Sequence, residues 1–165
     1  MIKKPKEYDK KLAYFYFNSK QYNKALSAFE KIIEEDPGNV SYRYLYASSF
    51  EKKKDYKRTI IELEKLLEID QNHINSIRKI GFFYFQQTDI LYNKEKKRYE
   101  LMKNPTRVDY HNSIKKLEEI SKGYTKALPY LEKSYDFKPN DKNIVACLNI
   151  VYKRLEMDKE IVVQP

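Results

Sequence analysis

The first half of the sequence repeats itself at a spacing of 34 residues. Each copy has a large residue, a small one and an aromatic one, followed by a second small residue and a second bulky residue. The matched positions are Leu12-Ala13 with Tyr46-Ala47, Tyr16 with Phe50, Ala25 with Thr59, Phe29 with Leu63, and Pro37 with Gln71. Small residues let two helices approach closely, and the bulky ones fill the space around them. The period therefore predicts stacked helical hairpins, because one hairpin alone cannot bury its apolar face.

The composition agrees with an almost wholly helical chain. Only three glycines and six prolines interrupt the 165 residues, a length that suits one domain. The net charge of +9 is the excess of 33 basic over 24 acidic side chains, so both signs are mixed over the surface. Such an excess permits weak attraction to anionic partners but does not require one.

We interpret residues 1–165 as a single domain of three hairpin units and a terminal element. Unit 1 spans residues 6–39, unit 2 spans 40–73, an elongated unit 3 spans 74–141, and a partial unit or capping helix spans 142–160. Turn-forming residues separate the units, as in Asp36-Pro37-Gly38-Asn39. The expected helices are Lys6–Ser19, Tyr22–Glu35, Ser41–Lys53, Tyr56–Ile69 and Lys142–Leu155.

The third unit is 34 residues longer than the others, which leaves an extra repeat or one stretched hairpin. An extra repeat would bury Asn93, Lys97 and Glu100 without partners, which costs several kcal/mol. A stretched hairpin fits better, with an outgoing helix Ile74–Lys103 of about 45 Å. Its expected packing positions are Phe85, Thr88, Tyr92, Tyr99 and Met102, with Glu95 breaking the series. The returning helix would offer the seam Tyr110, Ile114, Leu117, Ser121, Tyr124, Leu128 and Leu131.

Two features locate the bends of this hairpin. Asn104-Pro105 has the chemistry of an N-cap followed by proline in the first helical turn, so the tip is expected there. Pro129 lies within the returning helix and is expected to kink it near Thr125, where it removes a hydrogen bond.

The repeat pattern resembles the tetratricopeptide repeat, which runs Trp, Leu-Gly, Tyr, Ala, Phe, Pro over about 34 residues. The resemblance covers essentially the whole chain and implies an all-α solenoid of antiparallel helical hairpins in a right-handed superhelix. The sequence departs from the family pattern at Asp9, Thr59 and Gln71, which stand at the tryptophan, alanine and proline positions. The stretched hairpin, together with residues 126–133, is similar to a bacterial subset of these proteins that is often extracytoplasmic.

The resemblance also implies a ligand groove, because the first helices of such repeats line the inner face and bind protein or peptide segments. The corresponding residues here are Lys10, Tyr14, Phe17, Tyr44, Ser48, Arg78, Phe82 and Phe85. An aromatic row edged by cations would suit a peptide with apolar anchors and an acidic group. Alternatively, the rings only pack between neighbouring helices. The family's clamp for a peptide carboxylate is not expected, because its two asparagine positions hold Tyr14 and Leu45.

A basic hairpin tip is the second candidate surface. It consists of Lys94, Lys96, Lys97, Arg98, Lys103 and Arg107, interleaved with Tyr92 and Tyr99. Such a surface can hold single-stranded nucleic acid or an anionic membrane, although Glu95, Glu100 and Asp109 dilute it, so a nucleic-acid partner is not the favoured interpretation. The hairpin seam could also pair two chains as a homodimer.

Enzymatic activity and a cofactor are not expected. His73 and His111 have no second histidine or cysteine at metal-ligand spacing, and neither a phosphate-binding glycine loop nor a nucleophile motif is present. The single Cys147 is expected in a buried helix position. The sequence has no membrane-spanning run, and as it stands it suggests a cytoplasmic protein, or an extracytoplasmic one if a signal peptide has been removed.

Overall fold

The computed structural model describes residues 7–161, and within this range the chain is all-helical, as predicted. Eight α-helices follow one another in that range: α1 Glu7–Asn18, α2 Tyr22–Glu35, α3 Val40–Lys52, α4 Tyr56–Ile69, α5 Ile74–Glu100, α6 Arg107–Ser121, α7 Tyr124–Phe137 and α8 Lys142–Arg154. They fall into two compact units that divide between Ser76 and Ile77, close to the predicted boundary of repeat units 2 and 3.

The first unit contains two antiparallel hairpins, α1 with α2 and α3 with α4. Ala13 of α1 is fully buried in one cluster with Ala25, Phe29 and Ile32 of α2, so small residues bring the two helices together. The Asn39 side chain accepts a hydrogen bond from the Tyr42 N–H and caps α3. These are the hairpins that the repeat pattern predicts.

The turns inside the hairpins show the 34-residue period in backbone geometry. Lys20 and Lys54 occupy the same repeat position, and both adopt the left-handed region, with φ of 59° and 64°. Beside them the N–H of Gln21 donates to Tyr16 O, and the N–H of Asp55 donates to Phe50 O. This pairing ends each first helix in the same way.

The second unit is organised around the first part of α5 and the returning helix α7. A Cβ added to Gly81 would lie 3.1–3.3 Å from side-chain atoms of Tyr130 and Leu131, so α5 and α7 approach closely at this glycine. Four residues further along α5, Phe85 contacts Tyr124, with ring centroids 5.8 Å apart. Both rings belong to a core cluster completed by side chains of α7 and α8.

The later part of α5 extends the hairpin, which confirms the elongated third unit. We call residues 88–121 the arm: they comprise α5 from Thr88 onward, the tip and α6. Helix α5 is continuous over 27 residues, or about 40 Å, and ends three residues earlier than predicted.

The structure confirms the tip at Asn104-Pro105, between α5 and α6, but corrects the cap and adds a break in the returning chain. The cap of α6 is Thr106 rather than Asn104, and it forms a reciprocal capping box with Asp109. Asn104 instead adopts a left-handed conformation, with φ of 56°. The returning chain is interrupted between α6 and α7 at Lys122-Gly123, whereas Pro129 lies inside α7. The interruption arises where Gly123 approaches α5, because an added Cβ would meet Thr88 Oγ1 at 2.5 Å.

Candidate interaction surfaces

The predicted groove residues of α1 form an aromatic surface in the first unit. The Tyr14 ring is exposed along one side and lies 6.2 Å from the Phe29 ring and 5.9 Å from the Tyr42 ring. Lys10 Nζ is 6.0 Å from the centroid of the Tyr42 ring. Phe17 is half-buried against Phe29. Tyr14 and Lys10 therefore meet at one ring, while Phe17 also contributes to packing.

The groove residues of α3 differ in how accessible they are. Tyr44 is half-buried, with its ring centroid 5.2 Å from that of His73. Ser48 is only 6% exposed. Helix α3 therefore presents Tyr44 to a ligand more readily than Ser48.

In the second unit, Arg78 and Phe82 lie together but Phe85 does not join them. The Arg78 guanidinium is 5.5 Å from the Phe82 ring centroid and 2.8 Å from Asp141 Oδ2. The other carboxylate oxygen of Asp141 caps α8, so Arg78 ties α5 to the start of that helix. Phe85 is buried in the core, so it can line a ligand groove only if it moves.

The interior of the arm is held by a buried carboxylate. Glu95 of α5 is 3% exposed and accepts hydrogen bonds from Arg98 Nη2 at 2.6 Å and Ser113 Oγ at 3.2 Å. Lys116 Nζ of α6 lies 2.8 Å from its other oxygen. Hydrogen bonds from Arg98, and further ones from Lys116, lower the pKa of Glu95 to about 2 despite its burial. The carboxylate is thus ionised at neutral pH, and it joins the two helices of the arm.

This network lies within the predicted seam, of which Ser121, Tyr124 and Leu131 are buried as predicted. Ser113 and Lys116 face Glu95, while the Tyr110 ring lies 6.1 Å from the Tyr99 ring of α5 and Ile114 is 37% exposed. Six large apolar side chains of the arm are 37–71% exposed: Ile90, Leu91, Leu101, Val108, Tyr110 and Ile114. Glu95, which the sequence pattern marks only as a break in the apolar series, is the buried residue that joins α5 to α6.

The same network removes part of the predicted basic tip. Arg98 is bound to Glu95, and Lys96 lies 3.6 Å from Glu100 in an exposed pair. The other four tip cations have no acidic partner within residues 7–161: Lys94, Lys97, Lys103 and Arg107.

A second polar cluster lies at the base of the arm. The Tyr124 hydroxyl donates to Asp89 Oδ1 at 3.0 Å, and burial together with this bond raises the pKa of Tyr124. Arg154 of α8 donates to the Tyr92 hydroxyl at 2.9 Å and lies over the same ring. These bonds fix the base of α5 against α7 and α8, so the arm starts from a rigid attachment.

His73 and Cys147, the side chains considered for metal binding or reactivity, are both partly buried in the fold. His73 Nδ1 is 2.8 Å from Ser76 Oγ, and burial lowers the pKa of the ring. Burial raises the pKa of the half-buried Cys147 thiol to about 11, so it is protonated at neutral pH. Over residues 7–161, no three metal-binding side chains lie close enough to hold an ion. In the same range no helix has the length and apolar character needed to cross a membrane.

Comparisons with known proteins support the repeat architecture. A family model for anaphase-promoting complex, cyclosome, subunit 3 matches residues 3–66. A crystal structure of a Bacteroides ovatus protein, provisionally described as protein-binding, superposes with a TM-score of 0.79 at 19% identity. The match covers 94% of this chain and 77% of that one, so the two chains share a fold.

Two further structures resemble the chain more distantly. The first TPR domain of human RPAP3, solved by NMR, has a TM-score of 0.49 at 16% identity, with 90% of each chain covered. A crystal structure of MamA has a TM-score of 0.47 at 15% identity, and the match covers 90% of this chain and 81% of that one. A search of curated proteins gives no match.

Proposed function

Because the chain is built from tetratricopeptide-type repeats, we propose that it is a non-enzymatic scaffold that binds another protein. Repeats of this type generally form interaction scaffolds, since stacked hairpins present long surfaces that a single hairpin cannot. Function must still be argued from a particular surface, because the fold alone does not specify a partner.

The exposed apolar side chains of the arm are the observation that carries the proposal. A hairpin that served only to extend the repeat core would turn such residues inward. Here Glu95 and Ser113 occupy the inside, and residues such as Leu91 and Leu101 face solvent. Exposed apolar side chains that gather on one element are typical of a protein-binding surface.

The charges on the arm suggest the chemistry of the partner. Ile90, Lys94 and Lys97 share one face of α5 at helical steps of four and three. Leu101, directly after α5, extends this face by a further step of four, since its N–H donates to Lys97 O. The two lysines of this face have no acidic partner within the described residues. A partner with an apolar strip and acidic residues beside it would complement this face.

We also propose that the predicted groove residues on the first helices of each unit contribute to partner binding. Among the predicted groove residues, Tyr14 and Tyr44 are partly exposed aromatic residues in the first unit, and Phe82 is one in the second unit. Replacing each with alanine tests whether the first helices contribute to binding. Unaltered partner binding in all three variants would reject the groove assignment.

The decisive experiment is affinity capture of the partner from a lysate of the protein's own source, followed by mass spectrometry. The arm variant carries Ile90→Ser and Leu101→Ser, and a matched control carries Ile61→Ser and Ile69→Ser on α4, where exposure is 41–44%. We expect one protein to be captured by the wild type and the control but lost with the arm variant. Equal capture by all three would reject the arm as the binding surface.

Two alternatives give different outcomes in the same experiment. If nuclease treatment removes the captured proteins, the four unpaired tip cations bind nucleic acid, and affinity should fall steeply with salt. If light scattering gives the mass of two chains for the wild type and one chain for the arm variant, the arm is a homodimer interface.

A further inference from the structure

The segment that follows α8 is held against the second unit by side chains. We call residues 157–161 the strap. Helix α8 ends at Arg154, and Glu156 then adopts φ of 53° while the Met157 N–H donates to Tyr152 O at 2.9 Å. The strap continues without helical structure, so its backbone groups need partners outside regular secondary structure.

Asn149 supplies those partners with a single side chain. Its Nδ2 donates to Ile161 O at 2.9 Å, and its Oδ1 accepts from the Ile161 N–H at 2.9 Å. The amide thus pairs with one residue of the strap in the way that a neighbouring strand would. Because both bonds go to the backbone, they do not select the side chain at position 161.

The repeat period indicates that the strap takes the place that the second helix of a hairpin has in the first unit. Asn149 lies three periods of 34 residues after Ala47, and Ile161 lies three periods after Thr59. Ala47 and Thr59 are both fully buried in the α3 and α4 hairpin. The small residue there allows a second helix to approach, whereas asparagine at the same position holds an extended segment.

The strap also places a cation, Lys159, beside an acidic side chain of α7. Lys159 Nζ lies 3.3 Å from Glu132 Oε1 of α7, and the same oxygen accepts a hydrogen bond from the Tyr152 hydroxyl. The ammonium group is 5.4 Å from the Tyr152 ring centroid. A cation two residues before the backbone-paired position is therefore recognised by a carboxylate and a ring.

The strap fills this surface only in part. A cleft of about 540 Å³ remains on one side, lined by Glu132, Tyr135, Asp136 and Tyr152. Another of about 560 Å³ lies on the other side, lined by Asn149, Ile150 and Lys153. A second helix in this place would close such clefts, so the surface has room for larger side chains than the strap supplies.

We propose that this surface of α7 and α8 is a binding site for an extended peptide of a partner protein, and that the strap occupies it within the same chain. The peptide would pair its backbone with the Asn149 amide and place a cation beside Glu132. Its residue at the paired position would be apolar, because the Ile161 side chain packs against the core cluster of the second unit. Partner binding then requires displacement of the strap. The site is independent of the arm, so failure of the arm variants leaves it unaffected.

The test uses the full chain with the substitution Ile161→Pro, which removes the N–H that donates to Asn149. The probe is a fluorescent peptide with the sequence of residues 155–165, followed by anisotropy. We expect the variant to bind the probe at least about tenfold more tightly than the wild type, because the competing intramolecular segment is weakened. Adding Asn149→Leu, or replacing the probe's lysine by glutamate, should abolish that binding.

Two results would overturn the proposal. One is absence of probe binding by an Ile161→Pro chain that keeps the wild-type circular dichroism and melting temperature. The other comes from the wild type and so does not depend on the variant folding: an Ile161 amide that exchanges hydrogen only as slowly as Leu148 would mean that the strap opens only with global unfolding. Strap-exchanged dimers of the Ile161→Pro chain that Asn149→Leu abolishes would replace the partner by a second copy.

Discussion

The two halves of α5 are paired by different physical means. Its first half contacts α7 through apolar groups, with Leu131 against Gly81 and Tyr124 against Phe85. Its second half contacts α6 through the buried Glu95 with Ser113 and Lys116, and through one ring contact between Tyr99 and Tyr110. The first half of α5 thus has an apolar interface, and the second half of the same helix has a mainly ionic one.

This difference shows how an inserted hairpin can keep its register without a large core. Apolar packing requires several buried side chains on both helices, which the arm does not supply, whereas one buried carboxylate with several donors specifies a single pairing. The consequence is that apolar side chains of the arm remain outside, where they can bind a partner. The comparison also predicts that the two halves respond differently to substitution, acid and salt.

Removing an apolar contact of the first half should have the largest effect. Leu131 is fully buried, and Leu131→Ala should lower the free energy of unfolding by about 3 kcal/mol through lost burial and a cavity. Denaturant titration followed by circular dichroism measures this. The control Ile114→Ala, at a position 37% exposed on the arm, should change it by less than about 0.5 kcal/mol. Equal losses in both variants would mean that the arm is packed as tightly as the core.

Removing the charge of Glu95 should have the next largest effect, confined to the arm. Glu95→Gln keeps the shape but weakens the hydrogen bonds from Arg98 and Lys116, at a cost of about 2 kcal/mol. Amide hydrogen exchange should accelerate in α6 but not in α7 or α8. The control Glu100→Gln, which removes an exposed pair with Lys96, should leave exchange nearly unchanged. Faster exchange throughout the second unit would show that the arm and core unfold together.

Lowering the pH should accelerate amide hydrogen exchange in α6 of the wild type, because it removes the charge of Glu95. The pKa of Glu95 is about 2 in the folded chain and near 4.5 when unfolded, so ionisation stabilises the fold above pH 4.5. This contribution is lost progressively as the pH falls from about 5 towards 2. Exchange of α6 amides, corrected for the intrinsic rate, should therefore rise over this range, and the Glu95→Gln chain should respond less. An identical response in both chains would assign the acid sensitivity to other carboxylates.

The sequence allows accurate prediction where the 34-residue period and apolar spacing agree. Helices α2 and α4 begin and end at the predicted residues, because strongly periodic stretches are bounded by turn formers such as Asp36 and Asp70. The elongated hairpin is also predictable, since burying Lys97 and Glu100 in an extra repeat would be unfavourable.

The pairing within the arm could not be predicted from spacing alone. A pattern of apolar residues at steps of four and three favours Ile114 over Ser113 as the inward residue, because only apolar side chains are counted. The burial of Glu95 depends on three donors, and one of them lies 21 residues away on the other helix, at Lys116. Its interactions also determine that Arg98 is not a free cation of the tip.

One missed feature did have a signal in the sequence. Lys122-Gly123 lies two periods after Lys54-Asp55, which is the turn inside the second hairpin, and Tyr124 correspondingly matches Tyr56 at the start of α4. The period therefore marks the interruption between α6 and α7 more accurately than Pro129 does. For the groove residues, spacing alone could not separate the buried Phe85 from the half-exposed Phe82.

Helix caps provide the smallest effect and a matched test of the contrast between core and arm. Thr106 caps α6 in the arm by accepting from the Asp109 N–H, and Asn39 caps α3 in a packed hairpin by accepting from the Tyr42 N–H. Replacing either residue with alanine removes one capping bond, at a cost of about 1 kcal/mol.

The two cap variants should nevertheless behave differently. Asn39→Ala should lower the denaturant midpoint of the chain, since α3 unfolds with its hairpin. Thr106→Ala should leave that midpoint unchanged and instead accelerate hydrogen exchange in the first turns of α6, because the arm opens locally through its ionic interface. If Thr106→Ala lowered the midpoint as much as Asn39→Ala, the arm would be part of the cooperative core, and its exposed apolar face would have to be stabilised by contacts other than those of Glu95.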